Sequence, residues 1–346
     1  MRREELELSG DLRRGDGRSG MVDRCVLTAG ERAEVAELVN GVLGRCDSWD
    51  PLAFVDDSVP LAQELPARLR RFLVEARVNE VDVTVVSNLP VDEDLAPTPI
   101  GWDAAAKTGA GSREELVLLL CGSILGEPFG WCNQQDGRLV HDVVPVPGME
   151  QSLTSASSSA GLSLHTEDVF HACRGDYVSL YCLRNPDAIG TTFVRGASLP
   201  FSPDMRELLS KEVFTFYPDD SHVGMTLNAL DGDNSATPVR PSTTGTVLFG
   251  PKERPYFRFD IDFMEAEGDA AEAMREVQRQ MASRVERVVL SPGDAVFIDN
   301  YRVVHGREPF TARFDGTDRW LKRVNLIRDV RRIYTMSASR SRIILG

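Results

Sequence analysis

Histidine is scarce in this chain of 346 residues, with only five: His141, His165, His171, His222 and His305. Cysteine is also little used. The six cysteines, Cys25, Cys46, Cys121, Cys132, Cys173 and Cys182, form no C-x-x-C pair, and a chain this long does not depend on a disulfide framework. They read as reduced thiols of a cytoplasmic protein. No apolar run reaches the length of a membrane span, and the opening MRREELELSGDLRRGDGRSG lacks the apolar segment of a signal peptide. There is no internal repeat, no G-x-G-x-x-G and no P-loop string, so the sequence signatures of dinucleotide and nucleoside-triphosphate cradles are missing. An excess of positive charge is missing too. With 39 basic against 53 acidic residues the formal net charge is −14, a balance that repels phosphate backbones and excludes nucleic acid as an expected partner, while a cationic small molecule would be drawn in.

An apolar content of 42% is ample for a buried core. Residues 1–22, rich in Gly and Arg, read as a disordered extension, and 23–346 as a single domain. Its first part, about 23–128, is helical. Thr28 and Glu31 have capping-box spacing ahead of Val35, Leu38, Val39, Val42 and Leu43. A second stripe runs from about Leu61 to Ala76, and a third helix begins at Ser112 with Glu115 completing its box. Between them VDVTVVSNLP alternates as a strand. From about 129 the texture changes to short strands, among them DYVSLYCL, TTFV, GTVLFG, PYFRFDID, RVVL and DAVFID, interrupted by one helix at about 268–284. This pattern predicts a β-sandwich or barrel flanked by helices. Two long loops, 144–161 rich in Ser and a lid at about 217–244, are candidate functional segments.

Within LSLHTEDVFH, His165 and Glu167 stand at i and i+2, which on a strand turns both to one side. Two imidazoles and one carboxylate on one triangular face suit Fe(II) and leave positions open for co-substrate and dioxygen. The third ligand must come from the other histidines. His305 lies in SPGDAVFIDNYRVVHGREPF, directly after an apolar strand, with DRWLKR carrying Arg319 and Arg323 beyond it. His141 and His222 read as loop residues, His222 within the lid, and His171 as part of a strand; Asp168 and His171 read as local structural residues.

An H-x-[DE] pair, a distal histidine and an arginine after it resemble the Fe(II)/2-oxoglutarate-dependent dioxygenases of the clavaminate-synthase-like group, from about Phe129 to Ile327. The resemblance implies an α+β fold with a double-stranded β-helix (jelly-roll, cupin-like) core at about 129–346 and flanking helices. It implies Fe(II) held by His165, Glu167 and His305, with 2-oxoglutarate as co-substrate and O2 as oxidant. Arg319 takes the far carboxylate of 2-oxoglutarate, since a guanidinium offers two parallel charge-assisted bonds. Thr192 adds a hydroxyl, with Thr191 one residue away as the alternative register. Glu167 speaks against halogenation, because family halogenases lack the carboxylate; hydroxylation is expected, with desaturation open.

The resemblance is nearest to hydroxylases of free amino acids in peptide-antibiotic pathways of the viomycin, capreomycin and streptothricin type, and specifically to the L-arginine hydroxylases. It implies Gln134 (or Gln135) and Glu167 at the substrate amino group, Arg323 at its carboxylate, and Ser155 assisting. Asp260 and Asp262 in FRFDID are expected on one strand face, where two like charges call for a cation between them, and a guanidinium suits paired carboxylates. Asp219 and Ser221 would close over it from the lid. The reaction expected is hydroxylation of L-arginine at C3, with C4 also possible, or of an arginine-derived amino acid such as capreomycidine or enduracididine. Competing readings are an asparagine-type oxygenase, a tailoring enzyme for carrier-bound substrate, and a cupin-like binding protein without activity. The sequence does not fix the oligomeric state.

Overall fold

The computed structural model describes residues 22–222 and 242–345. The expected extension at 1–22, apart from Val22, and most of the expected lid at 217–244 lie outside them. Two antiparallel-rich sheets face each other. The larger runs in the order Asp23–Val26, Val83–Ser87, Ala295–Asp299, Tyr177–Arg184, Trp320–Ile327, Glu127–Trp131, Ile343–Ile344, and His141–Val143 pairs with the other end of Trp320–Ile327. The smaller has the order Glu286–Val289, Gly190–Arg195, Val303–Arg307, Leu162–His165.

Strand periodicity divides the larger sheet between two cores. Leu180, Cys182, Val296 and Ile298 meet Phe193, Val288 and Val303 of the smaller sheet. Their neighbours Tyr181, Leu183 and Phe297 point the opposite way, into a core shared with the N-terminal helices. The first helix, Ala29–Leu43, starts at Thr28 with both bonds of its capping box formed and buries Val35, Val39 and Val42. Helix Ser112–Leu125 lies in the middle of this layer and is apolar nearly all round, as expected of an element covered on both sides. Among the described residues no helix is long and apolar enough to cross a membrane.

Several sequence expectations need correction. The stripe assigned to one helix at 61–76 belongs to two, Pro51–Leu61 and Ala67–Asn79, with a single 3₁₀ turn between them. Pro66 forces the break: Leu65 before it is extended, at ψ 154°. The start of Pro51–Leu61 has a cap in Asp50, whose carboxylate accepts the Leu52 N–H at 2.9 Å, followed by proline at the first helical position. The expected box at Ser112 does not form. Gly111 occupies the cap position, and Glu115 turns inward to the indole N–H of Trp49 (2.8 Å) and the buried ammonium of Lys322 (2.8 Å).

PYFRFDID is a strand only at Tyr256–Phe257. Residue 260 forms one bridge to His165. The Asp260 carboxylate then accepts the N–H groups of Asp262 (2.8 Å) and Phe263 (2.9 Å), and this local turn replaces the ladder. His141 lies on a strand, not in a loop. His171 lies in a turn, where its Nδ1 accepts the Cys173 N–H at 3.1 Å.

Candidate active site

The smaller sheet brings the two key histidines together. His165 and His305 are direct cross-strand partners, with ring centroids 4.4 Å apart. The register shifts immediately after His305, and a Cβ at Gly306 would collide with the carbonyl of Leu162, so only glycine fits there. Glu167 lies past the end of its strand, and its backbone is held by Asn300. That fully buried amide accepts the Glu167 N–H (2.8 Å) and donates to the carbonyls of Glu167 (3.0 Å) and Gly175 (2.9 Å).

The ligand-type atoms of His165, Glu167 and His305 all lie within 4.8 Å of one another. Glu167 Oε2 is 3.3 Å from His165 Nε2 and 3.6 Å from His305 Nε2. Its Oε1 accepts from Arg323 Nη1 at 2.7 Å. His165 Nδ1 lies 2.8 Å from the carbonyl of Ser163, to which it donates, leaving Nε2 free to face inward. Burial drives the His165 pKa down, but the hydrogen bond and charge of Glu167 outweigh it and hold the ring at about 9. Burial pushes His305 down to about 3. Two imidazoles and one carboxylate, with one ring oriented by its own second hydrogen bond, fit a divalent ion of the Fe(II) type, which these three residues would hold.

A cavity of about 860 Å³, including its open mouth, adjoins this cluster. Its walls carry Arg307, Arg319 and Arg323 and also Asp219, Asp260 and Asp262. Arg319 is buried with Nε unpaired, has no carboxylate partner among the described residues, and is lowered by burial to about 10. A guanidinium desolvated in this way needs an anion. Arg307 is lowered to about 9, first by burial and then by Arg319. Its Nη atoms donate to the Ser157 carbonyl (2.7 Å), the Ser157 hydroxyl (2.8 Å) and the Ala160 carbonyl (2.7 Å), which ties down the Ser-rich segment that brings Ser155 to the wall.

Thr191 lines the cavity and Thr192 does not. Strand alternation makes one of the two face away, so of the two registers left open it is Thr191 that faces the cavity. Asp260 is buried and raised to about 6 by desolvation, whereas Asp262 is exposed. Both still reach the cavity from their shared turn. Asp219 Oδ1 accepts the N–H (2.9 Å) and hydroxyl (2.6 Å) of Ser221. Gln134 does not line the cavity but contacts two residues that do. Its Nε2 donates to Ser221 Oγ (2.8 Å) and its Oε1 accepts from Arg323 (3.2 Å). Gln135 instead bonds the backbone of Asp142, with its Nε2 donating to the carbonyl at 2.9 Å.

Sequence patterns alone do not mark Asn300, Arg307 or His141 as site residues. His141 donates from Nε2 to the Arg138 carbonyl (3.0 Å) and accepts from Arg323 at Nδ1 (2.9 Å), so it fixes the direction of that guanidinium. Burial, and then Arg323, keep His141 neutral, at about 3. Only the cross-strand pairing of His141 with Arg323 reveals it.

Residues 109–325 match the family model described as taurine catabolism dioxygenase TauD, TfdA family. The chain belongs to this family. Among its relatives is the enduracididine beta-hydroxylase of Streptomyces hygroscopicus, 41% identical over 306 residues, covering 83% of this chain and 89% of that protein. The L-ornithine/L-arginine 3-hydroxylase of Catenulispora acidiphila is 38% identical over 326 residues, covering 89% and 95%. The crystal structure of the non-haem iron oxygenase OrfP with Fe, succinate and (3S)-hydroxy-L-Arg superposes with a TM-score of 0.83 at 35% identity, over 93% of this chain and 100% of that one. This TauD/TfdA member is an Fe(II)- and 2-oxoglutarate-dependent dioxygenase.

Proposed function

We propose that the protein hydroxylates a free cationic amino acid, L-arginine or an arginine-derived residue, at C3, with C4 within reach of a small change of pose. The observation that carries this reading is the sorting of charge in the cavity. Arg307 and Arg319 neighbour each other, with no carboxylate on Arg319 among the described residues, while Asp260 and Asp262 share one turn and Asp219 joins the same wall. A dianion suits the first group and a guanidinium the second.

In this reading His165, Glu167 and His305 hold Fe(II), within a double-stranded β-helix core of a single domain that spans 23–346. Arg319, with the hydroxyl of Thr191, receives the distal carboxylate of 2-oxoglutarate. When bound, iron and 2-oxoglutarate supply with O2 an oxidant able to take hydrogen from an unactivated C–H bond. The residues of the chain do the positioning. Arg323, aimed by His141, binds the substrate α-carboxylate, the Oε1 side of Glu167 faces its ammonium, and Gln134 acts through its bonds to Arg323 and Ser221. Asp260, Asp262 and Asp219, with Ser221 alongside, hold the guanidinium, and Ser155 assists at the ammonium. A substrate anchored at both ends presents its β-carbon, between them, to the metal. Relatives named as hydroxylases of enduracididine and of ornithine and arginine support the substrate class. An antibiotic-biosynthetic setting rests on the sequence resemblance alone.

The test is succinate formation by iron-loaded protein with 2-oxoglutarate, O2 and each of the twenty amino acids in turn. Arginine should stimulate succinate formation well above the substrate-free rate. Stimulation by asparagine with none by arginine would replace this reading with an asparagine-type oxygenase.

A further inference from the structure

The stretch that supplies His165 and Glu167 also contains Asp168, which the metal cluster does not use. Asp168 has a left-handed backbone, φ 51°, which in a non-glycine residue is uncommon and needs support from its surroundings. The carboxylate is buried and well supplied with donors. Oδ2 accepts the indole N–H of Trp131 (2.9 Å) and the side-chain amide of Asn325 (3.3 Å), and Oδ1 lies 3.0 Å from His222 Nε2. His222 is also buried, and its ring packs edge-on against Trp131 (4.8 Å) and Phe170 (5.0 Å).

His222 follows closely on Asp219 and Ser221, which lie on the cavity wall. Segment 217–222 is tied at its backbone, where the Asn133 amide donates to the His222 carbonyl at 3.0 Å. It is tied again at its side chains, where Gln134 Nε2 donates to Ser221 Oγ (2.8 Å). Further along, Tyr217 N–H reaches the Phe263 carbonyl at 2.9 Å, and His222 N–H closes a local turn onto Asp219 at 3.1 Å.

We propose that His222 is a positioning residue: its hydrogen bond to Asp168 latches segment 217–222 against the turn that carries Glu167, and so sets Asp219 and Ser221 for the substrate side chain. The four residues His165 to Asp168, at a strand end and the turn after it, then serve two tasks, with His165 and Glu167 on the metal side and Asp168 anchoring the substrate wall. Breaking the latch leaves a buried Asp168 oxygen without its donor and frees the ring that the segment inserts into the Trp131 and Phe170 cluster. Arg319 and Thr191 lie outside this network, so the co-substrate end is unaffected.

This inference rests on the proposed substrate reading, and the experiment separates the two. Two variants are compared with wild type: His222→Phe keeps the edge-on packing without the hydrogen bond, and His222→Gln keeps a donor. Hydrogen exchange of segment 217–222 is measured in the substrate-free protein. Anaerobic titrations of the iron-loaded protein then give the affinity for 2-oxoglutarate and, in its presence, for L-arginine. The latch predicts faster exchange in 217–222 for His222→Phe, arginine binding weakened about tenfold, 2-oxoglutarate binding within about twofold of wild type, and substantial recovery in His222→Gln. Unchanged exchange at 217–222 in His222→Phe overturns the latch whatever the substrate. So does a parallel loss of arginine and 2-oxoglutarate affinity, which would make His222 ordinary packing. If wild-type protein binds no arginine while exchange responds as predicted, the latch stands and the substrate assignment fails.

Discussion

At the scale of single residues, the site is built from groups whose burial makes sense only with a ligand. Arg319 is the clearest: a guanidinium with an unpaired Nε and no carboxylate among the described residues costs stability until an anion arrives. Replacing it with an apolar side chain of similar length should therefore stabilise the ligand-free protein while removing co-substrate binding. For Arg319→Met we expect a rise of roughly 2 °C or more in the unfolding midpoint without ligand, the size expected from about 1 kcal/mol. Saturating 2-oxoglutarate should raise the wild-type midpoint through about 2.7 kcal/mol of linkage at a hundredfold excess over Kd, and leave the variant unmoved. Thermal melts with and without 2-oxoglutarate check both parts, and a variant still stabilised by 2-oxoglutarate would rule Arg319 out as its anchor. Residue spacing, with the family resemblance it carries, makes His165, Glu167, His305 and Arg319 legible as candidates in the sequence. It does not separate Thr191 from Thr192, because which of two adjacent threonines faces the cavity depends on strand register, fixed by pairing with Val303–Arg307. Nor does it reveal Asn300 or His141, whose importance lies wholly in contacts across the fold.

At the scale of elements, local chemistry is readable where a local group decides the outcome. Thr28 and Glu31 cap their helix as their spacing implies, and DAVFID and TTFV are strands. Sequence patterns mislead where a tertiary partner wins. Glu115 leaves its helix terminus for Lys322, while at Asp260 a local carboxylate turn overrides the alternating pattern. Strand Ala295–Asp299 ends in a further buried acid. Desolvation, opposed by the Tyr301 N–H and by Arg302 and Arg328, raises Asp299 to about 7. Its folded pKa thus lies above the unfolded value of about 3.9, so the folded state binds more protons between these limits. Stability is accordingly highest, as far as this group goes, below about pH 4, and declines as pH rises toward 7. Asn can still accept the Tyr301 N–H but does not ionise. Asp299→Asn is expected to stabilise the protein at pH 8 by about 1–3 kcal/mol and to have little effect at pH 4. Urea unfolding at the two pH values measures this, and a variant less stable at pH 8 would show that Asp299 is satisfied as an anion.

At the scale of the molecule, the two sheets put a metal-type cluster, an anion end and an acidic wall around one cavity, in a chain whose net charge is −14. The fold class can be read from strand-rich texture after about residue 129 and helical stripes before it. The pairing order cannot, since the larger sheet joins strands as far apart as Val83–Ser87 and Ala295–Asp299. The central claim is that the acidic wall selects a positive side chain, and it is tested by a pair of substrates alike in shape and different in charge. Anaerobic titration of the iron- and 2-oxoglutarate-loaded protein with L-arginine and with L-citrulline compares a guanidinium with a neutral urea. We predict that arginine binds at least about 30-fold more tightly, a difference of roughly 2 kcal/mol, and that Asp260→Asn reduces the ratio severalfold while leaving 2-oxoglutarate affinity unchanged. Equal affinity for the two ligands in the wild-type protein would contradict the account.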